Sequence, residues 1–319
     1  MAVIRTPFTD VMGVEHPVVC AGMGVGVTDG ELAAAVSEAG GLGVIGASWV
    51  KPDEIRAMTE RARELTEKPI GINLLLFGTE DVFDTVLELK PEVLSTAWER
   101  RDQELAAIFA SAHDRDIKVM HMTATLEGAK RAAEAGADVI VAQGAEGGGH
   151  VGEIATTVLV RQAAREIAPI PVLAAGGLAD GAGLAAALAL GAAGVLLGTR
   201  FLATEEAPVE DVYKQAIVRS DGYDTVQTTM PDTFTGRDWP GAWARVFRTP
   251  FIERWLGREP EVRRRRAELR AALTDGDLMW VGQSAGLVDD VRPAGDVVRQ
   301  IVADAEEILQ NDLPRLLSS

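Results

Sequence analysis

Eight short apolar runs recur along this chain, and their spacing limits the fold more than any other feature. They start at Pro17 (PVVCAG), Leu42 (LGVIGA), Pro69 (PIGINLLL), Glu92 (EVLSTA), Ile117 (IKVMHM), Asp138 (DVIVAQ), Pro171 (PVLAAGG) and Gly194 (GVLLGT). Each has the length of a strand and is apolar nearly throughout, the pattern of a strand buried on both faces. Between them lie amphipathic stretches such as DGELAAAVSEAGG, KPDEIRAMTERARELTEKP and LEGAKRAAEAGAD, whose Ala, Leu and Glu content and glycine ends suit helices. The alternation implies parallel strands with helical crossovers, and eight such units predict an α/β chain folded as a closed (β/α)8 TIM barrel. With 319 residues and 47% hydrophobic content, the chain can bury a barrel of about 250 residues and carry additions.

Barrels of this kind do their chemistry at the C-terminal strand ends. The candidate positions are therefore Gly22 to Gly24, Asn73, Trp98, His121 and Met122, Gln143 to His150, Gly176 and Gly177, and Gly198 and Thr199. After Leu202 the repeat stops. The segment TTMPDTFTGRDWPGAW is rich in turn residues, and four of the six tryptophans (Trp239, Trp243, Trp255 and Trp280) fall in this irregular region. We expect a barrel over residues 1–222, a smaller cap or second domain over 223–280, and a C-terminal segment, 281–319, that returns to the barrel.

Glycine features follow the seventh and eighth runs, a pair in AAGGLADG and a Gly-Thr step in GTRF. Bare backbone N–H groups on these two loops of a barrel commonly meet a phosphate, so Gly176, Gly177, Gly198 and Thr199 are the expected donors. Met23, among the glycines of CAGMGVG, can lay its thioether against a flat ring, and Asn73 can hydrogen-bond a heteroaromatic edge. Flavin mononucleotide (FMN) fits this arrangement, with its phosphate at the last two strands and its ring over the barrel axis.

Charge and cysteine content narrow the partners. Thirty-one Lys and Arg stand against 48 Asp and Glu, a net charge of −17, which repels nucleic acid and anionic membrane surfaces. Cys20 is the only cysteine, so no intrachain disulfide or cysteine-rich metal site can form, as expected in a reducing, cytoplasmic setting. No signal-peptide core or membrane-length apolar run is present. No HExxH-type spacing exists, and Glu146 with His150 alone is too weak a pair to argue for a metal. The run Arg263 to Arg266 lies beside Glu259, Glu261 and Glu268 and reads as a solvated helix face.

The motifs HPVVCAGMG, AAAVSEAGGLGVIGA, PIGINLLL, QGAEGGGHVG, PVLAAGGLADG and GVLLGTRFLATEEAP, in this order, resemble the nitronate monooxygenase family, formerly called 2-nitropropane dioxygenases. The likeness runs from near Phe8 to Pro208 and resumes at GQSAGLVDD. It implies an FMN-bearing barrel that oxidises alkyl nitronates with O2 to a carbonyl compound and nitrite. By that resemblance Gly22, Met23 and Gly24 form the first flavin loop, Asn73 lies in the third-strand motif, and Gln143 is a flavin contact. Gly176, Gly177, Gly198 and Thr199 match the phosphate loops, Ser284 lies in a segment that reaches the flavin in some members, and His150 matches the active-site histidine. Quinone-reducing relatives carry a lysine after the fifth strand where this chain has Met122, which weakens any role for a cation there. EGGGHVGEIATTVLVRQ is also similar to flavin-dependent enoyl-acyl-carrier-protein reductases.

His150 stands in VAQGAEGGGHVG, where five glycines let the chain fold closely against a ligand. Its imidazole can act as a base toward a nitroalkane carbon or donate to an anionic nitronate. His16 and His113 have the settings of structural residues, whereas His121 stays open between packing and the site. The expected activity is FMN-dependent nitronate oxidation, with nitroalkanes as a further substrate class left open. The alternatives are FMN-dependent NAD(P)H reduction of quinones or enoyl thioesters, and an idle phosphate-ligand-binding barrel. A homodimer is one assembly that the sequence leaves open.

Overall fold

The structure is a computed structural model that describes residues 4–317 apart from 80, 238, 240 and 275, so the outermost ends of the expected regions lie outside the described residues. The eight apolar runs form eight parallel strands: β1 (Val18–Cys20), β2 (Leu42–Gly46), β3 (Ile70–Leu75), β4 (Val93–Ala97), β5 (Lys118–Thr123), β6 (Val139–Gln143), β8 (Val172–Ala175) and β9 (Gly194–Leu197). They close into one barrel, sealed where Val18 of β1 pairs with Val195 of β9. Helices start where a polar side chain caps the first turn. Asp29 accepts from Leu32 N–H, Thr125 from Gly128 N–H and Asp180 from Gly183 N–H.

The strands bury residues on both faces, which is why the sequence shows continuous runs instead of alternation. Val19, Leu42, Val44, Val93, Met120, Val139, Val141, Leu173 and Leu196 fill the barrel interior. Phe8 and Met12, on a short helix over Pro7–Met12, plug its lower end. Thr6 ties that helix to the barrel by donating to the Ala193 carbonyl at 2.6 Å. Helix Ala294–Glu307 packs against helices Gly30–Glu38 and Gly181–Ala189 and so completes the outer ring.

Three further strands depart from the expected pattern. β7 (Gly149–Val151) leaves the loop after β6 and joins β10 (Thr225–Thr228) and β11 (Trp243–Phe247) in an antiparallel sheet ordered β10, β11, β7. His150 pairs with Ala244 and Gly149 with Arg245. The glycine-rich loop is therefore a strand of the additional sheet as well as a barrel connection. No helix among the described residues is long and apolar enough to cross a membrane.

Candidate functional site

The C-terminal mouth of the barrel gathers candidate residues from well-separated stretches of chain. Alternation along β6 points Val139, Val141 and Gln143 inward, and along β5 it turns Met120 and Met122 inward while His121 faces the helices. His121 is fully buried against Phe109, so it belongs to the wall and not to the mouth. Asn73 is also inward and donates to Ser95 Oγ at 3.0 Å, and Gly22 lies directly against its Cβ. The Met23 amide is already bonded to Thr28 Oγ1, and its sulfur approaches the open face of Gly198. Gly24 lies beside Ser48.

The glycine turns meet the C-terminal segment. Gly148 and Gly282 touch backbone to backbone, and a Cβ on Gly148 would sit 2.6 Å from the Gly282 nitrogen. Gly282 N–H donates to Thr199 Oγ1 at 2.9 Å, while buried Ser284 lies one turn onward in Gln283–Leu287. Gly176 and Gly177, at φ +95° and +74°, lie against Gly147 and Glu146. The helix Thr156–Glu166 has no cap of its own; Glu146 supplies one by accepting from Thr156 N–H and Oγ1, both at 2.9 Å. A cavity of about 350 Å³ opens beside Glu146, Gly176, Gly177 and Gln283.

His150 has two partners that the sequence did not reveal. Its Nε2–H donates at 2.8 Å to Asp232, a buried carboxylate on the helix Met230–Thr235. Its ring stacks on Trp239 at 3.5 Å with only 3° between the planes. Because an ionised carboxylate can only accept, this pairing places a proton on Nε2 and leaves Nδ1 as the ring nitrogen that Asp232 does not engage. Arg266, on the helix Glu259–Ala271, braces the Asp232 helix by donating to the Thr233 carbonyl at 3.0 Å.

The loop itself is clamped from the additional sheet. The Ala145 carbonyl accepts from Arg245 Nε and Nη2 at 3.2 and 3.0 Å and from Gln227 Nε2 at 3.3 Å. Burial pulls the Arg245 guanidinium below the ordinary arginine pKa, an effect that the nearby Glu146 charge opposes.

Three aromatic side chains line the mouth around Trp239. Phe77, Trp98 and Trp49 lie 4.3, 5.5 and 6.3 Å from its ring centre, all edge to face. Trp98 was expected at a strand end; Trp49 and Phe77 were not. The sequence offered position alone, since Trp49, like Trp98, comes shortly after a strand; the structure adds that both adopt left-handed backbone, φ +60° and +56°. The Trp98 turn is held from behind by Glu99, which lies 3.4 Å from His121 Nε2 and 3.3 Å from Arg131 Nη2. His121 Nδ1 is bonded in turn to Thr96 Oγ1 at 2.8 Å.

Burial pushes the Glu99 carboxyl up, but its contacts with His121 and Arg131 outweigh burial and bring it below the usual glutamate value. A depressed carboxylate stabilises the fold above its unfolded pKa, and that contribution disappears as pH falls through the folded value. Glu99→Gln should therefore melt below wild type at pH 7, with the gap closing below about pH 4. A gap that stays constant down to acid pH would rule out this charge network.

The matches to known proteins follow this geometry. The sequence model described as nitronate monooxygenase matches residues 5–86 and 78–304. The chain belongs to the nitronate monooxygenase family. Within reach of this family member lies a Mycobacterium tuberculosis protein named (3aS,4S,5R,7aS)-5-hydroxy-7a-methyl-1-oxo-octahydro-1H-indene-4-carboxyl-CoA dehydrogenase, 32% identical over 96% of this chain and 98% of that one. The structure of FabK from Thermotoga maritima superposes with a TM-score of 0.86 at 38% identity, covering 98% of this chain and 99% of the other. A nitroalkane oxidase from Streptomyces ansochromogenes gives a TM-score of 0.77 at 28% identity over 98% of this chain and 100% of that one. This member of the family is an oxidoreductase.

Proposed function

We propose that this protein is an FMN-dependent nitronate monooxygenase that oxidises alkyl nitronates with O2 to a carbonyl compound and nitrite. The observation that carries the reading is His150, fixed by Asp232 and presenting one imidazole at the barrel mouth. The mouth also fits a flavin. Gln143 Oε1 is buried there with no hydrogen-bond partner among the described residues, and its amide nitrogen reaches Gly148 O at 3.3 Å. A heteroaromatic N–H would satisfy that oxygen, whose burial unpaired costs about 1–3 kcal/mol.

Gly176, Gly177, Gly198 and Thr199 would hold the phosphate, and Gly22, Met23, Gly24, Asn73, Gln143 and Ser284 would surround the ring. When bound, the flavin would accept electrons from the substrate carbanion and pass them to O2. His150 would take the proton from a neutral nitroalkane at Nδ1 or bind the anionic nitronate. Residues 223–280 act in this reading as a substrate subdomain, since they provide Asp232 and Trp239.

A second reading is NAD(P)H-dependent reduction of a quinone or an enoyl thioester. The CoA ester in the name of the Mycobacterium tuberculosis relative favours a thioester. One stopped-flow comparison separates the two. Anaerobic nitronate is expected to bleach the flavin quickly and NADH or NADPH slowly; the reverse ranking would replace the first reading with the second. Denaturation should release FMN, because no second GxGxxG-type unit is available to hold an adenylate. Recovery of FAD would overturn that assignment.

A further inference from the structure

Trp239 occupies a nest that other residues build. Phe77, Trp98 and Trp49 meet its ring in edge-to-face geometry from the ends of three adjacent barrel strands, and His150 lies flat against it. Two of these walls require tryptophan in left-handed backbone, a conformation that costs of order 1–3 kcal/mol at each non-glycine residue and persists where surrounding structure imposes it. The occupant leaves one polar atom unsatisfied. Trp239 is 8% exposed, and its Nε1–H is buried with no hydrogen-bond partner among the described residues. The indole also covers the face of His150, so a substrate that reaches that face has to displace it.

Trp239 lies between Gly236 and Gly241, both left-handed at φ +75° and +77°, and a side chain on Gly241 would meet nothing within 4 Å. Glycine there serves backbone conformation alone. Arg237, two positions before Trp239, lays its guanidinium 3.7 Å from the Trp49 ring centre on the same wall.

We propose that the nest is a receptor for a flat apolar ring carried by the substrate, and that Trp239 holds this place until the substrate arrives. A ring entering between Phe77 and Trp98 takes over the edge-to-face contacts and the stack on His150, and brings the carbon attached to it beside the imidazole. The substrate class is thus aryl or fused-ring compounds in preference to short alkyl ones. This rests on the nitronate reading for the reacting group but not for the ring.

The test uses flavin-loaded protein, with 2-naphthol as a flat non-reactive probe followed by calorimetry, and the nitronates of nitroethane and phenylnitromethane as substrates. Trp239→Ala should bind 2-naphthol about tenfold more tightly than wild type, since the indole no longer competes. Trp98→Leu and Phe77→Leu, which keep apolar volume but remove a ring wall, should weaken the probe and lower the ratio of phenylnitromethane to nitroethane turnover. Equal probe affinity in wild type and all three folded variants, checked by melting, overturns the receptor. Probe binding as expected with neither nitronate turned over would retire the nitronate reading and leave the receptor standing.

Discussion

Replacing His150 with alanine is expected to leave flavin content unchanged and to lower turnover by about 10²–10⁴-fold, the usual share of general acid–base catalysis. The flavin survives because its expected contacts come from Gln143 and the glycine loops, and the loop is clamped at Ala145 by Arg245 and Gln227, not by the imidazole. The two roles open to His150 give different patterns. As a base with its lone pair on Nδ1, it matters most for a neutral nitroalkane and much less for preformed nitronate, whose proton is gone. As an anion binder it affects both substrates through KM. Asp232→Asn should cause a smaller loss in the same direction, because an amide can also donate and no longer fixes the tautomer. A His150→Ala variant with full turnover on both substrates and only a lower melting temperature would show that the histidine is structural.

Gly46→Ala should damage the mouth without touching a polar group. A Cβ at this position would lie 1.8 Å from the Met23 carbonyl oxygen and 2.5 Å from its carbon, both backbone atoms that cannot rotate away. Gly46 N–H is also bonded to the Thr28 carbonyl at 2.8 Å, so the strand end cannot simply retreat. The Met23–Gly24 turn must shift. Overpacking costs typically 1–3 kcal/mol, and with rigid backbone on both sides we expect about 3 kcal/mol, a melting temperature lower by roughly 5 °C or more. Flavin content should fall in parallel, since the displaced turn is the expected ring contact. A variant with wild-type melting and flavin content would mean that the turn is not seated on β2 as described.

The barrel was legible because its strands are buried on both faces and short crossovers keep neighbours close in sequence. β7, β10 and β11 were not. Their members are short and partly polar, and Gly149–Val151 finds its partner Trp243–Phe247 far along the chain, a pairing no local pattern announces. The same separation hid Asp232, which lies 82 residues from His150. His150 itself was visible because glycines cluster around it. Aromatic residues were harder, since Phe77 and Trp49 have the composition of core and only the left-handed backbone at Trp49 sets it apart. The histidine at position 121 illustrates the converse: strand alternation alone allowed either face, and packing against Phe109 decided it.

Strand β7 gives His150 two allegiances. Covalently it belongs to a barrel loop, yet its neighbours in the sheet and its carboxylate partner come from the segment that follows the barrel. Barrel enzymes are commonly viewed as a fixed catalytic base beneath exchangeable loops. Here that modularity fails at one residue: transplanting the segment around β10 and β11 from a relative would import a new register for β7 and a new seat for the imidazole. Changes selected for a different substrate would then alter proton transfer as well, and shuffling this region between family members should yield chimaeras whose rate and preference shift together.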